Sequence, residues 1–198
     1  MIPINDLVDM VASDAAEEAA AAEMERRLAD PGWYWRSLNT ATHRYWLERD
    51  WELLVNPRRL AWCMLNPSTA TRERNDPTVR RTIGFSKRDG YGGEVVVNMW
   101  PLRGTDPRCL RTYEPSPSEL QASDAVILDA AASCDAIVVA WGAYGALRRR
   151  GQHVLELLRD AGHDPLTFGL TQQGHPKHPV RLAANTPMVR LSEARRVE

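Results

Sequence analysis

The chain has 198 residues, 43% hydrophobic and 26% charged, a composition typical of a globular domain large enough to bury a core. Its formal net charge of -1 excludes a general polyanion binder, so any contact with nucleic acid must come from a local basic surface. Three widely spaced cysteines form no CxxC pair, and their odd number argues against a disulfide framework. This pattern fits a reducing, cytoplasmic location.

The N-terminal part of the chain differs in composition from the rest. Residues 5–30 are rich in Ala and Glu and predict one weakly amphipathic helix, ended by Asp30-Pro31-Gly32. We therefore expect a helical extension over residues 1–40, an appendage or an oligomer contact, before a single α/β domain over residues 41–198. The acidic N-terminus and the absence of an apolar run of ~20 residues predict neither a signal peptide nor a membrane span.

Strands and helices are predicted to alternate from residue 43 onward. Apolar runs bounded by turn residues predict strands at 43–49, 60–65, 95–97, 136–140 and 166–170, with a short strand near the end. Helices are predicted to start at Asp76-Pro77 and Thr105-Asp106-Pro107, where Asp caps and Pro occupies the first turn, and to cover 118–132 and about 145–161. This alternation predicts a mostly parallel central sheet flanked by helices on both faces.

Polar or glycine-rich segments follow four of the predicted strands. They are Asn66, Asn98, Trp141-Gly142 and the loop Thr171–His178. Ligands of parallel α/β sheets bind beyond the carboxyl ends of the strands, so these segments mark the expected site.

Two asparagines are the first candidates at that edge. In Asn66-Pro67-Ser68-Thr69 a neutral carboxamide could hold a water or a substrate carbonyl, although the same residues also form ordinary turns. Asn98 is open to two similar interpretations, since it could read the polar edge of a base or cap the next turn. Ser68 and Thr69 lack the surrounding glycines of a nucleophile elbow.

The late loop Gly174-His-Pro-Lys-His-Pro179 supplies two more candidates. His175 and His178 could donate protons or stabilise a developing anion, or could simply be solvated. We expect no metal, because no Cys, Asp or Glu stands at ligand spacing to them. We also expect no cofactor, because Walker-type and GxGxxG motifs are absent, although Gly142-Ala-Tyr-Gly145 could bind a phosphate or form a tight turn.

A series of short motifs runs through the predicted domain. They are Met64-Leu-Asn-Pro-Ser-Thr-Ala70, Asn75-Asp-Pro-Thr-Val-Arg-Arg81, Gly84-Phe85, Gly90-Tyr-Gly-Gly93, Val95-Val-Val-Asn98, Arg103-Gly-Thr-Asp-Pro107, Ala140-Trp-Gly142, Gly169-Leu-Thr171 and Gly174-His-Pro-Lys-His-Pro179. Together they resemble an uncharacterised bacterial and phage family, domain-of-unknown-function family 1643, over about residues 43–187. Thr71 and Ser123 depart from the family pattern, which commonly has Asp and Asn there. The resemblance implies no function.

The order of these segments is also similar to that of the uracil-DNA glycosylase superfamily. That superfamily has a water-activating Asp or Asn before Pro, then a base-reading Asn, a strand-ending Gly and a late His-Pro, which Asn66-Pro67, Asn98, Gly142 and His175-Pro176 match in order. The resemblance implies a three-layer sandwich that hydrolyses an N-glycosidic bond in DNA. Asn is a weaker water activator than Asp, so slow turnover or a modified base is expected.

The resemblance also implies roles for individual residues. Asn66 would position water, and His175 or His178 would stabilise the leaving base. A flipped nucleotide would be bound by Asn98 and would stack on an aromatic ring. The full set of implied substrate-binding residues is Pro67, Ser68, Thr69, Asn98, Trp100, Tyr91, Arg103 and Gly142.

Two other functions remain open on the sequence. The chain could be a non-catalytic module that binds nucleic acid or a nucleotide, or it could be a hydrolase or transferase of a free nucleotide. The near-neutral charge favours a free nucleotide over duplex DNA. A basic rim around Asn66 would favour DNA, and a closed pocket would favour a free nucleotide. The arginine clusters at 72–74, 80–88 and 148–150 support nucleic-acid binding only mildly.

Overall fold

The computed structural model describes residues 36, 38–52 and 57–194. The predicted helix over residues 5–30, and most of the predicted extension over 1–40, lie outside the described residues. None of the described helices has the length and hydrophobicity of a membrane span.

Six strands and three α-helices make up the described domain. The strands are β1 (Leu47–Asp50), β2 (Arg59–Met64), β3 (Gly93–Asn98), β4 (Ala136–Val139), β5 (Leu166–Thr167) and β6 (Val189–Arg190). The α-helices are α1 (Pro77–Arg88), α2 (Pro117–Ser133) and α3 (Arg150–Asp160). Short 3-10 helices cover Pro107–Arg111, Ala143–Arg149, Pro179–Arg181 and Leu191–Glu193.

The sheet is mixed, so the prediction of a mostly parallel sheet is wrong. Its order is β1-β3-β2-β4-β5-β6. The four inner strands run parallel, whereas β1 is antiparallel to β3 and β6 is antiparallel to β5. A helix links each inner strand to the next along the chain, as parallel pairing requires. The described connections to the two edge strands contain no α-helix, and these strands pair antiparallel instead.

Helices cover both faces of the sheet. On one face, α1 packs its Phe85 against Trp62 of β2 and against Phe168, with ring centroids 6.4 and 4.5 Å apart. On the other face, α2 and α3 bury Ile127 and Leu158 in a second cluster. Every residue of β3 is buried, as expected of an inner strand covered on both sides.

The predicted helix over residues 145–161 begins later than expected, at Arg150. The preceding segment is interrupted by an extended Leu147 and by Arg148 and Arg149, whose φ angles of 49° and 56° are left-handed. Leu and Arg favour helices, so local propensity gives no indication of this break. Left-handed residues other than glycine cost energy and persist only where the surrounding structure holds them.

Candidate functional site

The carboxyl ends of the parallel strands meet at one edge of the sheet, as predicted. Asn98 of β3 stands beside Met64 of β2 in register, so the segment starting at Asn66 follows directly beyond it. The late loop joins the same edge, because the Gly142 amide donates to the Pro176 carbonyl at 2.8 Å. Arg81 of α1 anchors this loop further by donating to the carbonyl oxygens of Pro179 and Leu182.

Asn98 is the most unusual side chain at this edge. It is only 3% exposed, and neither its amide nitrogen nor its amide oxygen has a hydrogen-bond partner among the described residues. Side chains alternate along a strand, so Asn98 lies on the α1 face with Glu94 and Val96. Leaving a buried polar group unpaired costs about 1–3 kcal/mol, so Asn98 is suited to pairing with a bound molecule.

Asn66 is held in one orientation by main-chain carbonyls. Its Nδ2 donates to the carbonyl oxygens of Pro67, Gly104 and Leu102 at 3.1, 3.0 and 3.4 Å. Three acceptors around one end of the amide identify that end as the nitrogen. The Oδ1 therefore points away from these carbonyls, and a half-buried acceptor remains for a water or a ligand.

Two arginines converge beside Asn66. Arg44 and Arg103 each donate an Nη1 hydrogen bond of 3.0 Å to the Ala70 carbonyl oxygen. Arg44 is 3% exposed, and its Nε has no partner in the described part of the chain. Burial and the neighbouring Arg103 lower the pKa of Arg44 to about 10, and Asp76 opposes this shift. Two guanidinium groups on one neutral acceptor make the region electropositive.

Arg103 of this pair lines an open cleft of about 560 Å³. Arg103 also donates to the carbonyl oxygens of Ser68 and Thr40, both at 3.3 Å, and so fixes the cleft wall. The lining contains hydroxyl groups and a guanidinium but no carboxylate, which suits a phosphate or a sugar. The lining residues are Thr40, Ala41, Ser68, Thr69, Thr71, Arg103, Gly104 and Thr105.

Of the two predicted histidines, His178 has the stronger link to this edge. His178 packs closely on Gly142, because a Cβ atom on Gly142 would lie 3.4 Å from the His178 Cβ. Asp76, the N-cap residue of α1, interacts electrostatically with the His178 imidazole. Burial lowers the pKa of His178, with Asp76 opposing, so the imidazole is neutral at neutral pH. Its Nδ1 accepts a long 3.4 Å bond from the Val180 amide, which leaves Nε2–H as a donor.

His175 contributes mainly through its main chain. Its amide donates to Thr171 Oγ1 at 3.1 Å, and its carbonyl accepts from the Thr171 amide at 2.8 Å. These bonds close the turn that carries the loop past Gly142. The histidines are thus distinguished by their surroundings, which the sequence does not show.

The structure does not bring the two predicted stacking rings to Asn98. Tyr91 precedes β3 and lies at the amino end of the sheet, with Arg58 4.6 Å above its ring. Trp100 follows β3 but belongs to the cluster on the α2 and α3 face, and its ring meets Tyr113 edge-on at 6.4 Å. Both rings are buried, so neither offers a free face to a base.

Two site residues have no role in the sequence-based prediction. Arg44 lies within the predicted strand 43–49, where a charged residue among aromatic ones is the only hint. Asp76 was expected only as a helix cap. It does accept the Val79 amide at 2.8 Å, but it also accepts the Ala70 amide at 3.2 Å and so ties the Asn66 segment to α1.

No group of three or more His, Cys, Asp or Glu side chains within residues 38–52 and 57–194 is arranged to hold a metal ion. The chain matches the model of a family described as a protein of unknown function (DUF1643) over residues 44–180. It therefore belongs to that family, and the resemblance first seen in the Asn66 motif is confirmed. No curated protein and no solved structure matches the chain.

Proposed function

We propose that this DUF1643 member binds a nucleotide of a DNA strand at the carboxyl edge of its sheet and hydrolyses its N-glycosidic bond. The observation that carries the proposal is the Asn98 carboxamide, which is buried and unpaired at the carboxyl end of β3, in register with the end of the strand that leads into the Asn66 segment. A carboxamide donates and accepts at once, as does the polar edge of a nucleobase. Asn98 would read that edge.

The arginine cleft supports a phosphate next to the base. Arg103 and the hydroxyls of Ser68 and Thr69 line an opening without carboxylates, which is the chemistry of a phosphate or sugar contact. The cleft is open to solvent, and Arg72 and Arg74 are exposed on the following segment. An open cleft with a basic margin favours a strand over a free nucleotide.

Asn66 and His178 would perform the chemistry. Asn66 Oδ1 would accept a hydrogen bond from water and hold its oxygen against the sugar carbon. A carbon–oxygen bond forms there as the carbon–nitrogen bond breaks and its electron pair moves to the base. The neutral His178 would donate from Nε2 to the base as negative charge develops. The water's proton ultimately reaches the departed base.

The test is incubation of the full chain with single- and double-stranded oligonucleotides that carry uracil, mismatches or modified bases, followed by scoring of abasic sites. We expect product with at least one of these bases, and loss of product in Asn66→Ala and Asn98→Leu. The matched control is Asn185→Ala, because Asn185 is exposed and remote in sequence from the cleft residues. If no substrate yields product but wild-type binding depends on Asn98, the binding module is the correct function.

A further inference from the structure

We propose that a second cleft, on the α2 and α3 face of the sheet, binds a single oxyanion such as phosphate at the N-terminus of α3. The cleft measures about 510 Å³. It does not depend on the proposed function, since it shares no lining residue with the cleft that Arg103 lines. Its lining includes Trp100, Asp124, Arg148, Arg150 and His153.

Arg150 supplies the first reason. Its side chain is buried, with the residue 5% exposed, and its Nε donates to the Met99 carbonyl at 3.1 Å. Nη1 lies 2.6 Å from Asp124 Oδ1. Nη2 is buried and has no partner among the described residues. A buried cationic N–H without an acceptor is energetically costly, so Arg150 Nη2 is suited to donate to an oxygen atom of a ligand.

Trp100 supplies a second unpaired donor in the same cleft. Its indole Nε1–H is buried without a partner in the described part of the chain. The guanidinium carbons of Arg148 and Arg150 lie 5.8 and 5.9 Å from its ring centroid. The nearby Asp124 carboxylate is occupied by Arg150 and by His153 Nε2 at 2.8 Å. Asp124 Oδ1 is also buried without a hydrogen bond in the described part of the chain, although it lies close to Arg150 Nη1. The ligand must therefore offer acceptors to Arg150 and Trp100 and one hydrogen to Asp124, and a hydrogen phosphate has both.

The start of α3 provides further donors. Arg149 stands at the N-cap position, and no side chain caps the helix there. The Arg150 amide donates to the carbonyl oxygens of Gly145 and Leu147, but no side chain caps the amides that follow, and the dipole of this eleven-residue helix favours an anion at this end. Gly151, in the first turn, lets the helix pack closely on the preceding segment, because a Cβ atom there would lie 2.7 Å from the Gly145 carbonyl oxygen.

The charges around the cleft limit the ligand to a small anion. Glu114 is paired with Arg148 at 3.1 Å, and Glu156 accepts from Gln152 Nε2 at 2.8 Å. Asp124 balances Arg150. Arg149 and Glu156 both bond to the neutral Gln152 side chain, so the three arginines of the lining are matched by three carboxylates and leave no surplus charge. This balance suits a single phosphate group and not a nucleic-acid strand.

Entry of the oxyanion requires Arg148 to swing aside. Arg148 is exposed, lies over the Trp100 ring and donates to the Tyr113 carbonyl at 2.6 Å. Its left-handed backbone, like that of Arg149, is strained in the free protein. A bound anion would replace the Tyr113 carbonyl oxygen as the acceptor for the Arg148 guanidinium.

The test is titration of the full chain with inorganic phosphate, followed by 1H–15N NMR. We expect saturable shifts of the Gly151 and Gln152 amides and of the Trp100 indole N–H, which should move downfield as it gains an acceptor. Arg150→Gln should weaken binding at least about tenfold, since it removes a charge-assisted contact. The control Arg159→Gln, an exposed change in the last turn of the same helix, should leave the affinity unchanged.

Two further variants keep the proposal falsifiable. If Arg150→Gln does not fold, Trp100→Phe keeps the ring and removes only the donor, and it should weaken binding several-fold. Arg103→Gln should leave the α3 shifts intact, because Arg103 belongs to the other cleft. Absence of saturable shifts at α3 and Trp100, equal losses in Arg150→Gln and Arg159→Gln, or abolition of these shifts by Arg103→Gln would each overturn the second site.

Discussion

Arg44 and Arg103 donate to the same acceptor, the Ala70 carbonyl oxygen, each at 3.0 Å. One neutral oxygen cannot compensate two cations, and Asp76 is the acidic group that offsets the charge of Arg44. The pair therefore keeps a surplus of positive charge at the cleft that Arg103 lines, and a phosphate would neutralise it.

Arg103→Gln should weaken oligonucleotide binding about tenfold, because it removes a charge-assisted contact. It should also reduce the slope of log affinity against log salt concentration by about one. Stability should fall only modestly, since the lost hydrogen bonds to the Ser68 and Thr40 carbonyls are partly offset by relief of the repulsion with Arg44. Fluorescence anisotropy over a salt series, with Arg159→Gln as control, measures the first two effects. Equal losses of oligonucleotide affinity in Arg103→Gln and Arg159→Gln would contradict a local contact between Arg103 and the bound strand.

Asn98→Leu should make the protein more stable while it removes ligand binding. The wild-type amide is buried without partners, so replacing it with an apolar side chain should gain about 1–3 kcal/mol in free energy of unfolding. Asn39→Leu is the matched control. The Asn39 side chain accepts from the Tyr45 amide at 2.7 Å and donates to the Trp46 carbonyl at 2.8 Å.

The control should lose stability by a comparable amount, because Asn39→Leu leaves main-chain groups unpaired. Urea unfolding of both variants gives the comparison. A destabilised Asn98→Leu would mean that the wild-type amide is paired in solution, and the main support for a nucleotide site would be lost.

Glu94 makes the stability depend on pH. It is fully buried, and its carboxyl oxygens lie 2.7 Å from both Thr82 Oγ1 and Ser86 Oγ. Burial raises its pKa from 4.5 to about 7, against the hydrogen bonds from Thr82 and Ser86 and the charge of Arg49. The folded state thus keeps a proton that the unfolded chain releases. The contribution of Glu94 to the free energy of unfolding should be greatest below pH 4.5 and should be lost as the pH rises through about 7.

Glu94→Gln should flatten this pH dependence. Thr82 has one hydroxyl hydrogen for two acceptors, the Val79 carbonyl at 3.0 Å and Glu94 Oε1 at 2.7 Å, and an amide at position 94 can donate to the Thr82 oxygen and leave that hydrogen to Val79. At pH 8 the variant should be more stable than wild type, by on the order of 3 kcal/mol. Urea unfolding from pH 4 to 8 tests this. Parallel curves for the two proteins would contradict it.

The strand ends of the candidate site could be predicted because their residues are locally distinct. Val95–Val97 is a β-branched run that ends at a polar residue, and Asp76-Pro77 fixes a helix start. The position of Tyr91 could also be predicted from the sequence, because Tyr91 precedes that run and must therefore lie at the amino end of the strand. The face of the sheet on which Trp100 lies could not be predicted from side-chain alternation, because Trp100 stands beyond the last paired residue of β3.

Other features depend on contacts between distant parts of the chain. The convergence of Arg44 and Arg103 requires β1 to pair antiparallel at the edge of the sheet, and no local pattern specifies that choice. The break before α3 opposes local helix propensity, because Arg148 and Arg149 are left-handed despite being good helix formers. Tertiary packing overrides propensity there, next to the proposed oxyanion site.

Asn66→Asp should destabilise the protein rather than improve it. A carboxylate is a better water activator, but one of its oxygens would replace the Nδ2 that now faces the carbonyls of Pro67, Gly104 and Leu102. A carboxylate oxygen has no hydrogen to donate to these carbonyl oxygens, so the variant should lose about 3 kcal/mol or more in free energy of unfolding at pH 7. The loss should shrink at acidic pH, where a protonated carboxyl can donate. Urea unfolding at both pH values measures it, with the exposed Asn185→Asp as control. A stable Asn66→Asp with faster cleavage would show that the amide faces the other way.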